Sequence, residues 1–246
     1  MSVDSTLHTV LAPGEVHVWC FRLESDAESL PRAFQTLAPD ECSRAARFLV
    51  DQPRNTFVLS RAILRTLLAA LRGGTPGELK FEYSKEGKPF LAGGSPLIYF
   101  NMSHSGDLAA YAVTLATEVG IDIEKHRPMT DMDAIARRFF SAKEYQSLLQ
   151  VPQPNRIAAF FDCWVRKEAY LKARGGGLSM GLSNFHVSLA PGEPAALLGI
   201  DDPGENSQEW FLSAFTPAPG FSGALAIRHI PCCVYLHKTD SAADML

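Results

Sequence analysis

Cysteine is scarce and unpatterned in this chain: Cys20, Cys42, Cys163, Cys232 and Cys233 form no Cys-x-x-Cys pair and leave an odd count of five. That argues against metal binding through cysteine and against a fully paired disulfide framework. With no signal-peptide pattern at the start, it favours a reduced cytoplasm. No apolar run approaches the ~20 residues of a membrane span. An excess of one charge is lacking too: 23 basic and 27 acidic residues leave a net charge of −4, which implies no attraction to nucleic acid or to a membrane surface. At 246 residues and 46% hydrophobic content, the chain can bury one large core or two modest ones. No convincing repeat relates its two halves.

What the chain does have is charge in the wrong place. In Trp164-Val165-Arg166-Lys167-Glu168-Ala169-Tyr170-Leu171-Lys172, a turn of about 100° per residue puts Phe161, Trp164, Val165, Glu168, Leu171 and Lys172 on one side of a helix. Asp162, Arg166 and Tyr170 project away. Glu168 and Lys172 therefore interrupt an apolar stripe, where an unpaired charge costs several kcal/mol unless a metal, a cation or a charged ligand lies beside it. The plainer alternative is an i,i+4 ion pair between the two at the edge of the stripe, worth only about 0.3–0.5 kcal/mol.

A second acidic element alternates with period two: in Val119-Gly120-Ile121-Asp122-Ile123-Glu124 the isoleucines face one side of a strand and the acids the other. At a rise of about 3.3 Å per residue the carboxylates stand roughly 7 Å apart. That suits either a hard divalent ion with water or phosphate filling its shell, or an ordinary solvated strand face. Basic residues supply possible phosphate partners. Arg54, Arg61, Arg65 and Arg72 form one stripe on a helix from about residue 55 to 72, which reads as a wet amphipathic face or as an anion surface. Arg44 and Arg47 lie in a helical turn before it, with Pro53 between the two segments. Gly87-Lys88-Pro89 makes a tight turn between strand-like runs. In Asn101-Met102-Ser103-His104-Ser105-Gly106-Asp107 a strand ends in a hairpin turn, offering Ser103 and His104 as donors. A hydrolytic pairing of these two is disfavoured, because neighbours on a strand face opposite ways.

These elements, in this order, together with Phe139-Phe140-Ser141-Ala142-Lys143-Glu144-Tyr145 and the glycines Gly175-Gly176-Gly177, resemble the 4′-phosphopantetheinyl transferases. The likeness is to the long, two-half type that activates surfactin synthetase. It runs continuously from about Pro39 to Leu189. It implies transfer of the phosphopantetheine arm of coenzyme A to a carrier-protein serine, with Mg2+ bridging the pyrophosphate and adenosine 3′,5′-bisphosphate released. By resemblance Asp122, Glu124 and Glu168 are the metal ligands, and Lys172 contacts the pyrophosphate with Lys167 next to it. Ser103, His104, Arg44, Arg61, Lys88 and Pro89 hold the nucleotide end, with His104 at its 3′-phosphate. The implied base is Glu168 or a water positioned by Glu144. Because a metal stabilises the ionised form of a bound carboxylate, a metal-bound or Glu144-oriented water is preferred. Two other readings remain: a magnesium-dependent coenzyme A pyrophosphate hydrolase, and a non-catalytic coenzyme A- or carrier-binding module.

The mixture of hairpins and helices indicates an α+β fold. Two similar halves about a pseudo-twofold axis, with coenzyme A between them, is what the resemblance adds. The expected division is residues 1–115, residues 116–232 carrying the metal ligands, and a flexible tail at 233–246. Residues 191–206 read as a polar loop. The expected partners are coenzyme A and acyl or peptidyl carrier domains, with no nucleic acid and no membrane, and a monomer is the expected state. Arg137, Arg138, Phe139 and Phe140 are either a carrier-docking surface or a plain amphipathic helix end.

Overall fold

Two long helices, each of 22 residues, organise the chain by burying one sheet apiece. The computed structural model describes residues 9–24, 28–175, 181–229, 231, 233–238 and 241–246; Gly176, Gly177 and Cys232 lie outside them. In the N-terminal half, β1 (Glu15–Arg22) is followed by α1 (Ser29–Thr36), α2 (Pro39–Ala45) and α3 (Asp51–Arg72). A short hairpin of β2 (Phe81–Tyr83) and β3 (Pro89–Leu91) leads to a longer one of β4 (Tyr99–Ser105) and β5 (Leu108–Thr114). Helix α3 begins before Asn55, because Pro53 sits in the first turn, where backbone N–H groups have no intrahelical acceptor in any case.

The C-terminal half opens with β6 (Val119–Lys125), then α4 (Met132–Phe139), α5 (Ala142–Gln150) and α6 (Gln153–Arg174). After these come β7 (Phe185–Val187), β8 (Leu197–Ile200), β9 (Trp210–Phe215) and β10 (Phe221–Arg228). Strand β8 pairs with β7, so the segment read as a polar loop carries a strand. The chain closes with β11 (Cys233–Lys238).

Strand order is β11-β1-β5-β4 in one sheet and β6-β10-β9 in the other. Alternation decides what each face meets. Trp19, Phe21, Tyr111 and Val113 turn toward Ile63, Leu64, Leu67 and Leu68 of α3. Val16, Val18, Ala110 and Ala112 turn the other way, onto Val119, Ile121, Ile123, Leu225 and Ile227 of the second sheet. The far face of that sheet, with Ala224 and Ala226, packs on α6. The result is four layers, helix, sheet, sheet, helix, in which the two halves meet sheet to sheet.

The expected tail is a correction. Strand β11 pairs in parallel with β1 from Glu15↔Cys233 to Cys20↔Lys238, and Ala242 and Met245 are buried in the α3 core. The physical reason is an otherwise open edge of β1, whose unpaired backbone groups the last strand satisfies.

Candidate active site

Gly120 sets the geometry of the site. A Cβ there would lie 2.0 Å from the Ala169 carbonyl oxygen and 2.4 Å from the Ala173 nitrogen, so only glycine lets the α6 backbone lie this close to β6. The close approach brings Glu168 and Lys172 beside the acidic face of the strand. Ile121 and Ile123 point into the core between the sheets, and Asp122 and Glu124 point the other way, as the alternation requires.

Asp122 is the centre of the cluster. It is only 5% exposed. Its Oδ1 accepts from Ser103 Oγ at 2.7 Å and from Lys172 Nζ at 2.6 Å, while Lys172 also donates to the Ile121 carbonyl at 3.2 Å. Its Oδ2 is buried with no hydrogen-bond partner among the described residues. Lys172 therefore bridges to the strand and does not form the i,i+4 pair with Glu168. Glu168 is half-buried and has no ion pair among the described residues. Burial first, then repulsion from Asp122, raise its pKa; Lys172 opposes this and Glu124 adds to it. Glu124 accepts from Ser105 Oγ at 2.6 Å and lies 3.5 Å from Arg127 Nη1. His104 is exposed beside them. Partial burial of its ring, then the Lys172 ammonium, lower its pKa, against the pull of Glu124 and Asp122.

A cavity of about 280 Å³ opens at this cluster, lined by Gly87, Lys88 and Pro89 from the β2–β3 hairpin, Asn101 and Met102 from β4, and Glu168, Leu171 and Lys172 from α6. Lys88 ties the hairpin to β6 through Glu118 at 2.5 Å and the Val119 carbonyl at 3.1 Å. The β4–β5 hairpin turns at Gly106, whose φ of +58° suits glycine at the first central position of a two-residue turn. Of the three acids only Glu168 lines the cavity, and among the described residues no three His, Cys, Asp or Glu side chains are grouped closely enough to hold a metal.

Comparison with known proteins adds the family. Residues 118–221 match the model of the 4′-phosphopantetheinyl transferase superfamily, and residues 24–117 match that of the 4′-phosphopantetheinyl transferase N-terminal region. The two matches meet in the connection from β5 to β6. The chain is 36% identical over 219 residues to 4′-phosphopantetheinyl transferase HetI of Nostoc sp. (strain PCC 7120), covering 88% of this chain and 89% of that protein. This chain belongs to the 4′-phosphopantetheinyl transferase family. It is also similar to the transferase psf-1 of Bacillus pumilus, 42% identical over 151 residues and covering 61% of this chain and 62% of that one. The transferase Sfp of Bacillus subtilis is 28% identical over 202 residues, covering 82% and 87%.

Several residues expected at a transferase site are not brought to the cleft. Glu144 and Lys167 are 2% and 0% exposed and satisfy each other. Lys167 Nζ donates to both Glu144 oxygens, at 2.6 and 2.7 Å, and to the Phe185 carbonyl at 2.6 Å. Glu144 also accepts from the backbone of Ser141 at 2.7 Å and of Val187 at 2.8 Å. Lys167 lies one step of about 100° around α6 from Glu168 and so faces α5 and β7. Both residues are corrected from cleft chemistry to core structure.

Arg61 is likewise placed behind the cleft. With Arg65 it grips Glu41: Arg61 Nε donates to one carboxylate oxygen and Arg65 Nε to the other at 2.5 Å. Arg61 also holds the Tyr83 hydroxyl at 2.5 Å, bracing the hairpin that carries Lys88. The stripe on α3 is thus partly buried and not a wet face. Arg44 is exposed on α2 with its guanidinium 4.9 Å from the Phe57 ring centre, outside the cavity lining. Phe140 is buried in the C-terminal core, and Arg137 is held by Asp133 at 3.0 Å, which fits a helix end.

Asn101, Ser105, Glu118 and Gly120 were missed as site-building residues. For the first two a signal exists, the period-two spacing of Asn101, Ser103 and Ser105 on a strand. A Gly-x-Ser-x-Gly string also occurs from Gly177 to Gly181, but its Ser179 lies outside the described residues. No helix among the described residues is long and apolar enough to cross a membrane.

Proposed function

We propose that this chain transfers the 4′-phosphopantetheine arm of coenzyme A to a serine of an apo acyl or peptidyl carrier protein, in a magnesium-dependent reaction. The serine oxygen forms a bond to the β-phosphorus of coenzyme A as the anhydride bond to the α-phosphate breaks. The serine proton is released to a base, and adenosine 3′,5′-bisphosphate leaves. The observation that carries this reading is Asp122: clamped at Oδ1 by Ser103 and by Lys172, which lines the cleft, it keeps a buried Oδ2 with no hydrogen-bond partner among the described residues.

The donor set suits magnesium. Asp122, Glu124 and Glu168 are hard carboxylate donors, and a buried oxygen without a partner is costly unless something else completes it. When bound, the ion would neutralise charge across the pyrophosphate. Lys172, 29% exposed at its side chain, would exchange Asp122 for a phosphate oxygen of the substrate. Lys88 and Pro89 line the wall proposed for the nucleotide end, and His104 would act there as a hydrogen-bond donor. With Glu144 withdrawn into the core, Glu168 is the carboxylate left to take the serine proton, directly or through a water.

Intact mass of an apo carrier, incubated with the enzyme, coenzyme A and magnesium, tests the proposal. A gain of one phosphopantetheine arm that a chelator abolishes is expected. Cleaved coenzyme A with an unmodified carrier would replace the reading by a hydrolase. Intact coenzyme A across carriers of several classes would replace it by a binding module.

A further inference from the structure

Strands β4 and β6 are both sheet edges, and they meet without joining one sheet. Side chains of β4 take the place of a partner strand. Asn101 Oδ1 accepts the Ile121 N–H at 2.9 Å, Ser103 Oγ donates to Asp122, and Ser105 Oγ accepts the Lys125 N–H at 3.1 Å while donating to Glu124 Oε2 at 2.6 Å. Three alternate residues on one face thus zip onto β6 at the two acids.

Ser105 holds the decisive position in this ladder. Because its oxygen accepts from a backbone N–H, its own proton is directed to the carboxylate, and the serine acts as a fixed donor. The competing contact of Glu124 Oε2 is Arg127, 3.5 Å away and 58% exposed at its side chain. Without the serine hydroxyl, that cation would draw Glu124 toward the rim. Asp122 faces no such competition, since Ser103 and Lys172 both hold it from inside the cleft.

We propose that Ser105 is a positioning residue of the transfer reaction, fixing the Glu124 carboxylate on the cleft side against the pull of Arg127. This rests on the function proposed above and on Glu124 facing the metal. Residues that orient a metal-binding side chain typically carry 10- to 100-fold in metal affinity or activity. Loss of a purely structural hydroxyl would instead lower stability and spare metal binding.

The test compares wild type, Ser105→Ala and Ser105→Thr by calorimetric titration with manganese alone, by the magnesium concentration that half-saturates transfer, by KM for coenzyme A and by melting temperature. In Ser105→Ala, manganese affinity is expected to fall about tenfold and the half-saturating magnesium to rise to match. KM for coenzyme A at saturating magnesium should change less than about twofold, with melting little altered. Ser105→Thr, which keeps the hydroxyl, should recover to within about threefold of wild type. Unchanged manganese affinity in Ser105→Ala would overturn the assignment. So would a loss that tracks melting temperature and is not recovered by threonine. A wild type that binds manganese but modifies no carrier would sink the functional reading alone and leave the manganese comparison to decide Ser105. A wild type that binds no metal would sink both.

Discussion

Replacing Gly120 with alanine should damage the site without touching any residue that bears chemistry. The new Cβ would stand 2.0 Å from the Ala169 oxygen and 2.4 Å from the Ala173 nitrogen, where side-chain carbons do not approach closer than about 3.0 Å. Both neighbours are helix backbone, so relief requires α6 to withdraw from β6 by about 1 Å. Overpacking of this kind costs about 1–3 kcal/mol, and the rigid obstacle places the cost near the upper end. At about 2–4 °C per kcal/mol for a chain of this size, melting should fall by roughly 6–12 °C. The same withdrawal stretches the 2.6 Å contact between Lys172 and Asp122 and carries Glu168 away from the strand. A displacement of about 1 Å at a reacting centre can cost on the order of 100-fold in rate. Differential scanning calorimetry and carrier mass gain at 20 °C, well below melting, would measure both effects. A variant that melts and turns over like wild type would refute the packing argument.

Four further outcomes follow from the same contacts. Glu144→Gln should cost about 3–5 kcal/mol by stranding Lys167 in the core, seen as a large drop in denaturation midpoint. Its folded fraction should keep the wild-type KM and metal dependence; a selective loss of kcat at full stability would restore Glu144 to the chemistry. Lys172→Ala should reduce transfer by about 100-fold or more by removing charge stabilisation of the transferring phosphate, with less destabilisation because the lysine is partly exposed; near-normal kcat would contradict its role. Glu118→Gln frees Lys88 from its 2.5 Å partner and should lower KM for coenzyme A by up to a few-fold, about the worth of one partly exposed pair; a raised KM would show that Glu118 assists binding. Acid should loosen β11: His237 Nε2 lies 3.0 Å from His17 Nδ1, and burial, then His17, lower the His237 pKa. A histidine with a depressed folded pKa contributes its stability fully above the unfolded value of about 6.5 and loses it as pH falls below that value. The protection of β11 amides, corrected for the intrinsic pH dependence of exchange, should therefore fall below about pH 6.5, and unchanged protection would refute this.

Patterns local to one element were legible in the sequence. The alternation of Ile121 and Ile123 with Asp122 and Glu124, the turn at Gly106 and the charged positions of α6 need only neighbours within a few residues, and the structure keeps them. What failed depended on distant partners. A helical wheel of α3 cannot show that Glu41, 20 and 24 residues upstream of Arg61 and Arg65, will bury two of its arginines. Lys167 adjoins Glu168 in sequence but faces Glu144 across another helix. Arg166 and Tyr170, expected to project away from the stripe, do so into a second packed layer: Arg166 bonds the Ser188 carbonyl at 2.6 Å, and Tyr170 packs on Phe185 and Trp210. The last strand looks like a mobile tail in the sequence because its partner, β1, lies at the opposite end of the chain. Family resemblance supplied the roles proposed for Asp122, Glu168 and Lys172, while Gly120 emerges only from the packing of strand on helix and Ser105 from that of strand on strand.

The central claim is that the cleft at Asp122 joins metal and coenzyme A in one site. Calorimetric titration of coenzyme A into wild type and Asp122→Asn, each with and without magnesium, tests it most directly. The account predicts that magnesium tightens coenzyme A binding in wild type and not in the variant. Equal tightening in both proteins would place the metal elsewhere and contradict the site described here.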